Sequence, residues 1–227
     1  DARYKANLLD VISKASADVT WVENNSGCKH ICDRVKLIDL TKILNKENYD
    51  EKLLPILDKI LKNNKRKRIL IVLHAMGSHG PKYFERYPSE FDKFKPSCKS
   101  NNPQECSRQE LINAFDNTIL YTDHFVNLVI EKLEQQKKKS FLIYASDHGE
   151  SLGEHGLYLH GVPRKFAPKE QIHIPWILWF SDLYKESRSF KTLDVKTTIS
   201  HEYYPHTILD AMKIKSKYFK KEKSLIQ

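Results

Sequence analysis

"RILIVLHAMGSHGP" (residues 68–81) decides the fold. Its first half is a continuous apolar run rather than an alternating one, and its second half is a glycine-punctuated loop carrying His79. A strand that is apolar on both faces must be covered on both faces, which is the situation of a parallel sheet between layers of helices. The preceding residues 48–62, "NYDEKLLPILDKILK", have apolar positions at helical spacing and a proline near the start. Helix followed by buried strand is therefore the unit. The same order recurs as a helix over 3–16 and "DVTWVE" (18–23), and as a helix over 107–134 and "SFLIYAS" (140–146). Leu111, Phe115, Ile119, Thr122, Val126, Val129 and Leu133 mark one face of that third helix, and Ser107 with Glu110 forms a capping box at its start. "IPWILWF" (174–180) reads as a further strand, and a last helix is expected near 200–213. The expected class is α/β, a mostly parallel sheet sandwiched by helices, in a single domain over 1–227.

Composition narrows the function classes. With 227 residues and 40% hydrophobic content the chain can bury a full core. Its net charge of +9 gathers in "KNNKRKR" (62–68), "QQKKKS" (135–140) and "YFKKEKS" (218–224). Such runs read as solvated helix ends with cations on the negative end of the dipole, or as a surface for anionic membranes and acidic substrates. Nucleic acid is not expected as a partner, because no basic stripe interleaves with aromatics and no zinc-finger spacing occurs. No run reaches the about 18 apolar residues of a spanning helix, and "DARYKANLLDVI" has no signal-peptide core. The four cysteines form two close pairs, Cys28 with Cys32 and Cys98 with Cys106. Loop-closing disulfides in an oxidising compartment suit both spacings, with free thiols as the alternative; neither pair has the two-residue gap of zinc ribbons.

Two long segments, 75–106 and 147–172, are polar and punctuated by glycine and proline. Loops of that length in a compact domain are usually functional, and in open α/β sheets ligands bind beyond the carboxyl ends of the strands. "NNSGCK" (24–29), "AMGSHGP" (75–81) and "DHGESLGEHGLYLHG" (147–161) follow three such ends and converge if the strands are neighbours. The last packs Asp147, His148, Glu150, Glu154, His155 and His160 into fourteen positions. A carboxylate beside an imidazole, released from strand alternation, suits zinc or manganese. His74 reads as packed in its strand and His155 as a surface histidine, whereas His79 between glycines can meet a phosphate or metal. Asn25 and Lys29 offer a neutral donor and a point charge to phosphate oxygens.

"SDHGESLGEHGLYLHGVPRKFAPKEQIHIP", with "LHAMGSHGPKYFERYP", "NNSGCKHICDRV" and "INAFDNTILYTDHF", resembles the periplasmic catalytic domain of the phosphoethanolamine transferases, enzymes that decorate lipid A and confer polymyxin resistance. The resemblance runs from about Tyr4 to Met212 and implies a fold similar to alkaline phosphatases and sulfatases. It implies zinc-dependent transfer in two steps: a threonine attacks the phosphorus of phosphatidylethanolamine, then passes the group to lipid A or another envelope acceptor. It implies Asp147 and His148 as ligands of the catalytic zinc, His79 and His160 as binders of phosphoethanolamine or of a second zinc, and Asn25, Lys29 and Glu150 as pocket residues. Disulfides at both cysteine pairs and a membrane-anchored protein on the periplasmic face of a Gram-negative inner membrane also follow from it.

The departures from the family are specific. Its nucleophilic threonine and a glutamate zinc ligand belong to a part of the family sequence upstream of Asp1, and Thr20, Thr118 and Thr122 are not in a matching context. The expectation is a C-terminal portion of a catalytic domain, inactive by itself. His155 stands where the family usually has asparagine. Two other readings remain: another sulfatase-fold hydrolase or glycerol-phosphate transferase using the same Asp-His edge, and a non-catalytic fragment that binds metal or anionic lipid.

Overall fold

The computed structural model describes residues 3–42, 49–188 and 198–226. Helix α1 (Leu8–Lys14) leads into strand β1 (Asp18–Glu23), and β2 (Lys36–Asp39) follows. Helix α2 (Leu53–Asn63) leads into β3 (Ile69–His74), and α3 (Arg108–Gln135) into β4 (Phe141–Ala145). A small hairpin, β5 (Ser151–Leu152) and β6 (Tyr158–Leu159), precedes α4 (Lys169–Ile172), β7 (Trp176–Phe180), α5 (Asp182–Lys185) and α6 (Tyr203–Ala211).

The three expected helix-strand units are present, with shifted starts. The first helix begins at Leu8 rather than residue 3, because Asn7 accepts from the Leu9 and Asp10 amides while the Asp10 carboxylate accepts from the Asn7 amide. This reciprocal cap satisfies the orphan donors there and ends the helix. The second expected helix opens with a 3-10 turn over Asp50–Lys52; its first expected residue, Asn48, lies outside the described residues.

Strand β1 pairs in parallel with β2 on one side and β3 on the other. β7 runs antiparallel to β4, and β6 antiparallel to β5. Both apolar layers cross from one strand group to the other. Ile69, Ile71 and Leu73 of β3 pack with Leu142 and Tyr144 of β4 against α2 and α3. Leu70 and Val72 pack with Phe141 and Ile143 against α1 and α6. No ladder joins β3 to β4 among the described residues. Each residue of those two strands keeps partial exposure, whereas β1, flanked on both edges, buries Val19, Thr20, Val22 and Glu23. The continuous apolar runs thus correctly announced cover on both faces, while lateral pairing is a separate matter.

Helix α3 departs from its expected face. Ile119 is 46% exposed, while Asn113, Asn117 and Thr118 are buried beside Leu111, Ala114 and Tyr121. These buried polar side chains hold loop backbone. The Asn117 side chain accepts from the Lys93 and Phe94 amides and donates to Asp92, and Asn113 donates to the Pro96 carbonyl. The first half of α3 thereby carries the long segment 75–106 on a hydrogen-bonding face, which a hydrophobic pattern does not reveal. A disulfide closes Cys98–Cys106 in that segment and another closes Cys28–Cys32 after β1; no free thiol remains.

Candidate functional site

The site forms where β3 and β4 end, and its backbone is fixed from below. Asn25, just past β1, donates to the Ala75 carbonyl just past β3, joining the first two candidate segments. The buried Asp50 carboxylate accepts from the Asn24 side chain and from the Met76 and Gly77 amides. Burial pushes the pKa of Asp50 up; those three donors oppose that shift. Arg86 donates from Nε to the His79 carbonyl and clamps the same loop at its far end. The third segment is braced by the chain around α4: the Gly149 amide donates to the Gln171 carbonyl, and the Gln171 side chain donates to Ser151.

On this support the segments after β3 and β4 meet. The His148 and His160 ring centroids are 3.8 Å apart, and those of His79 and His160 are 5.6 Å apart. Ligand atoms of His148, Glu150 and His160 all lie within 4.8 Å of one another. The imidazoles share a pattern. Nδ1 of His79 bonds the Gly80 carbonyl at 2.7 Å, Nδ1 of His148 the Gly149 carbonyl at 3.0 Å, and Nδ1 of His160 the Glu150 carboxylate at 2.7 Å. Each partner accepts, so these contacts suit Nδ1 as the donor and leave Nε2 outside them. A carboxylate behind a histidine is the arrangement that fixes a metal-ligating imidazole. Glu150 is itself buried and receives the Tyr83 hydroxyl at 3.1 Å; burial, then the nearby Glu150 charge, pushes the pKa of Tyr83 up.

The remaining candidates are more peripheral. Asp147 is 86% exposed in its side chain, with Oδ1 3.7 Å from Nε2 of His148. Lys29 is exposed on the loop after β1, at φ 46°. His74 is held in its strand by the Glu23 carboxylate at 2.9 Å, and His155 is exposed. Thr20 is buried in β1, and buried Thr118 has its hydroxyl 2.6 Å from both Ser78 Oγ and the Phe115 carbonyl. Sequence reasoning missed Tyr83, Asp50 and Arg86; the tyrosine stood in "KYFERYP" with nothing to say that its partner lay 67 residues away.

An α/β sheet under helices, with imidazoles and carboxylates gathered at strand carboxyl ends, is the class of domain that binds its ligands beyond those ends. The chain belongs to the Sulfatase family, whose model matches residues 1–214, and within it to the phosphoethanolamine transferases. It is 37% identical over 239 residues to the phosphoethanolamine transferase EptA of Escherichia coli (strain K12), covering 100% of this chain and 44% of that protein. The phosphatidylethanolamine transferase Mcr-1 of Escherichia coli is 37% identical, with 92% of this chain and 40% of the relative covered. The solved soluble domain of lipooligosaccharide phosphoethanolamine transferase A from Neisseria meningitidis superposes with a TM-score of 0.91 at 40% identity, covering 97% of this chain and 70% of that one. The chain spans less than half the length of these curated relatives.

Proposed function

We propose that this chain is part of an enzyme that moves phosphoethanolamine from phosphatidylethanolamine to lipid A or another cell-envelope acceptor. In this reading it works at the periplasmic face of a Gram-negative inner membrane. The observation that carries the proposal is the convergence of ligand atoms of His148, Glu150 and His160 within 4.8 Å of one another, with Nδ1 of His160 against the Glu150 carboxylate. The family membership and the two disulfides agree with it.

An imidazole nitrogen and a carboxylate oxygen side by side, His148 Nε2 with Asp147 Oδ1 at 3.7 Å, fit zinc. Asp147 and His148 would hold it, with His160 and His79 beside them for a second ion or for the phosphoethanolamine group. When bound, zinc supplies Lewis-acid polarisation of phosphoryl oxygens. The chain's own residues do the rest. Glu150 accepts from Nδ1 of His160, Tyr83 keeps Glu150 in place, and Asn25 and Lys29 supply a donor and a positive charge to phosphoryl oxygens. Thr20 and Thr118 are buried; the attacking group in this reading is a threonine hydroxyl, as in the family. Its oxygen bonds to phosphorus as the bond to the diacylglycerol oxygen breaks, and its proton leaves with diacylglycerol. An acceptor oxygen then attacks the same phosphorus and the threonine hydroxyl is restored.

Protein purified from its native cell, given zinc and phosphatidylethanolamine, is expected to release diacylglycerol and gain a phosphoethanolamine adduct on threonine. Turnover of phosphatidylglycerol or an aryl sulfate instead would move the assignment to a glycerol-phosphate transferase or a sulfatase. Absence of turnover with every donor, with salt-sensitive lipid binding only, would leave the non-catalytic reading. Asp147→Ala should lower zinc content measured by atomic emission, and an unchanged content would remove Asp147 from the ligand set. Lys29→Ala should raise KM while leaving zinc content intact.

A further inference from the structure

Two basic stretches far apart in sequence meet beside the site. At the first, the Phe166 and Ala167 amides both donate to the Pro163 carbonyl, at 2.7 and 3.0 Å, and form a tight turn. The turn presents Arg164, Lys165 and a Phe166 that is 71% exposed, with the Lys165 ammonium 5.7 Å from its ring centroid. At the second, Tyr218 is 58% exposed with the Lys217 ammonium 5.2 Å from its ring, ahead of Lys220, Lys221 and Lys223.

Glu202 lies between the two stretches. Its carboxylate bonds Lys223, and it is held below the usual range first by that bond and then by the charges of Lys220 and Arg164. His201, the preceding residue, has Nε2 3.0 Å from the carbonyl of Ser146, the residue before Asp147. The joint surface therefore stands at the edge of the candidate site.

A solitary exposed aromatic needs no explanation. Here two exposed rings, each beside a lysine, stand among cations, with Glu202 already paired to Lys223 and Glu222 the other carboxylate of the second stretch. Rings that seek the boundary between water and hydrocarbon, ringed by cations that seek phosphate, complement the surface of an anionic bilayer. Polynucleotide binding fits less well, since it asks for a basic groove with stacking platforms along a strand path.

We propose that Arg164, Lys165, Phe166, Lys217 and Tyr218, with Lys220, dock this domain onto the anionic phospholipid surface and hold the site mouth at headgroup level. The proposal rests on the lipid-headgroup reading of the site for its biological setting, but the test needs neither metal nor turnover. In sedimentation with EDTA present, the chain should bind vesicles of phosphatidylcholine mixed with phosphatidylglycerol and ignore phosphatidylcholine alone. Binding should fall as salt shortens the screening length from about 10 Å at 0.1 M to about 3 Å at 1 M. Substituting Arg164→Ala and Lys165→Ala together should cut partitioning about 30-fold, at about fivefold per surface cation. Phe166→Trp should add blue-shifted emission on anionic vesicles relative to the parent.

Equal binding by the double variant overturns the proposal, and so does a Phe166→Trp emission that does not move. Abolition of binding by inorganic phosphate at constant ionic strength also overturns it, since that would mark a single-phosphate pocket. Vesicle binding by this chain, together with no transfer by the zinc-loaded protein purified from its native cell, would sustain this surface while sinking the transferase reading.

Discussion

At the scale of residues, the candidate site is a set of imidazoles, each with Nδ1 against an acceptor. The crowding of Asp147, His148, Glu150 and His160 is legible in sequence, and it announces metal-type chemistry. That Nε2 is the atom left outside those contacts is not legible, because it depends on the Gly80 and Gly149 carbonyls and on a carboxylate anchored by Tyr83. Gly149 shows how tightly this corner is built: a Cβ placed there would stand 2.1 Å from the Glu170 carbonyl oxygen. Relief requires the backbone of the segment around α4 to move, and overpacking against such a neighbour costs about 1–3 kcal/mol or more. Gly149→Ala should therefore lower the urea midpoint, and a midpoint equal to the parent's would show that the corner yields freely.

At the scale of elements, α3 sets the shape of the 75–106 segment as well as covering the sheet. Ser107 accepts from the Glu110 amide and Glu110 accepts from the Ser107 amide, the cap anticipated from sequence. Ser107→Ala should cost about 1 kcal/mol, read as a shift of the denaturation midpoint at constant slope. A null result would mean that packing alone sets the helix start. The buried Asn113 and Asn117 explain why the helix face was misread: they are polar side chains satisfied by loop backbone, and periodicity counts them as solvent-facing. β2 went unread for a related reason, since its "KLID" is short, polar at both ends and more exposed than the runs on which strand assignment relied.

At the scale of the whole molecule, α1 is tied to the loop between β1 and β2 by the Arg34 guanidinium, which donates to both Asp10 oxygens at 2.8 and 2.7 Å. That hydrogen-bonded pair, aided by the Asn7 amide and opposed by burial, holds the Asp10 carboxyl below its ordinary value of 3.8. The folded state thus favours the charged form. The resulting stability is present above about pH 4 and is lost as pH falls through the lowered folded value. Asp10→Asn should cost about 1 kcal/mol at neutral pH after screening at the partly exposed guanidinium. The gap between variant and parent should close in acid, and a gap independent of pH would mean that packing, not charge, was lost. The sequence by itself determined the helix-strand rhythm, the two-faced burial of the strands and the chemical character of the loops, and made the two disulfides an expectation. Each of these is written in local spacing, or in motifs that travel together. Only the tertiary structure decided that β7 runs antiparallel, that β3 and β4 share both apolar layers without a ladder between them, and that two basic stretches converge on Glu202. Strand direction, lateral pairing and the meeting of remote charges are set by how distant segments cover one another, and no local period encodes them.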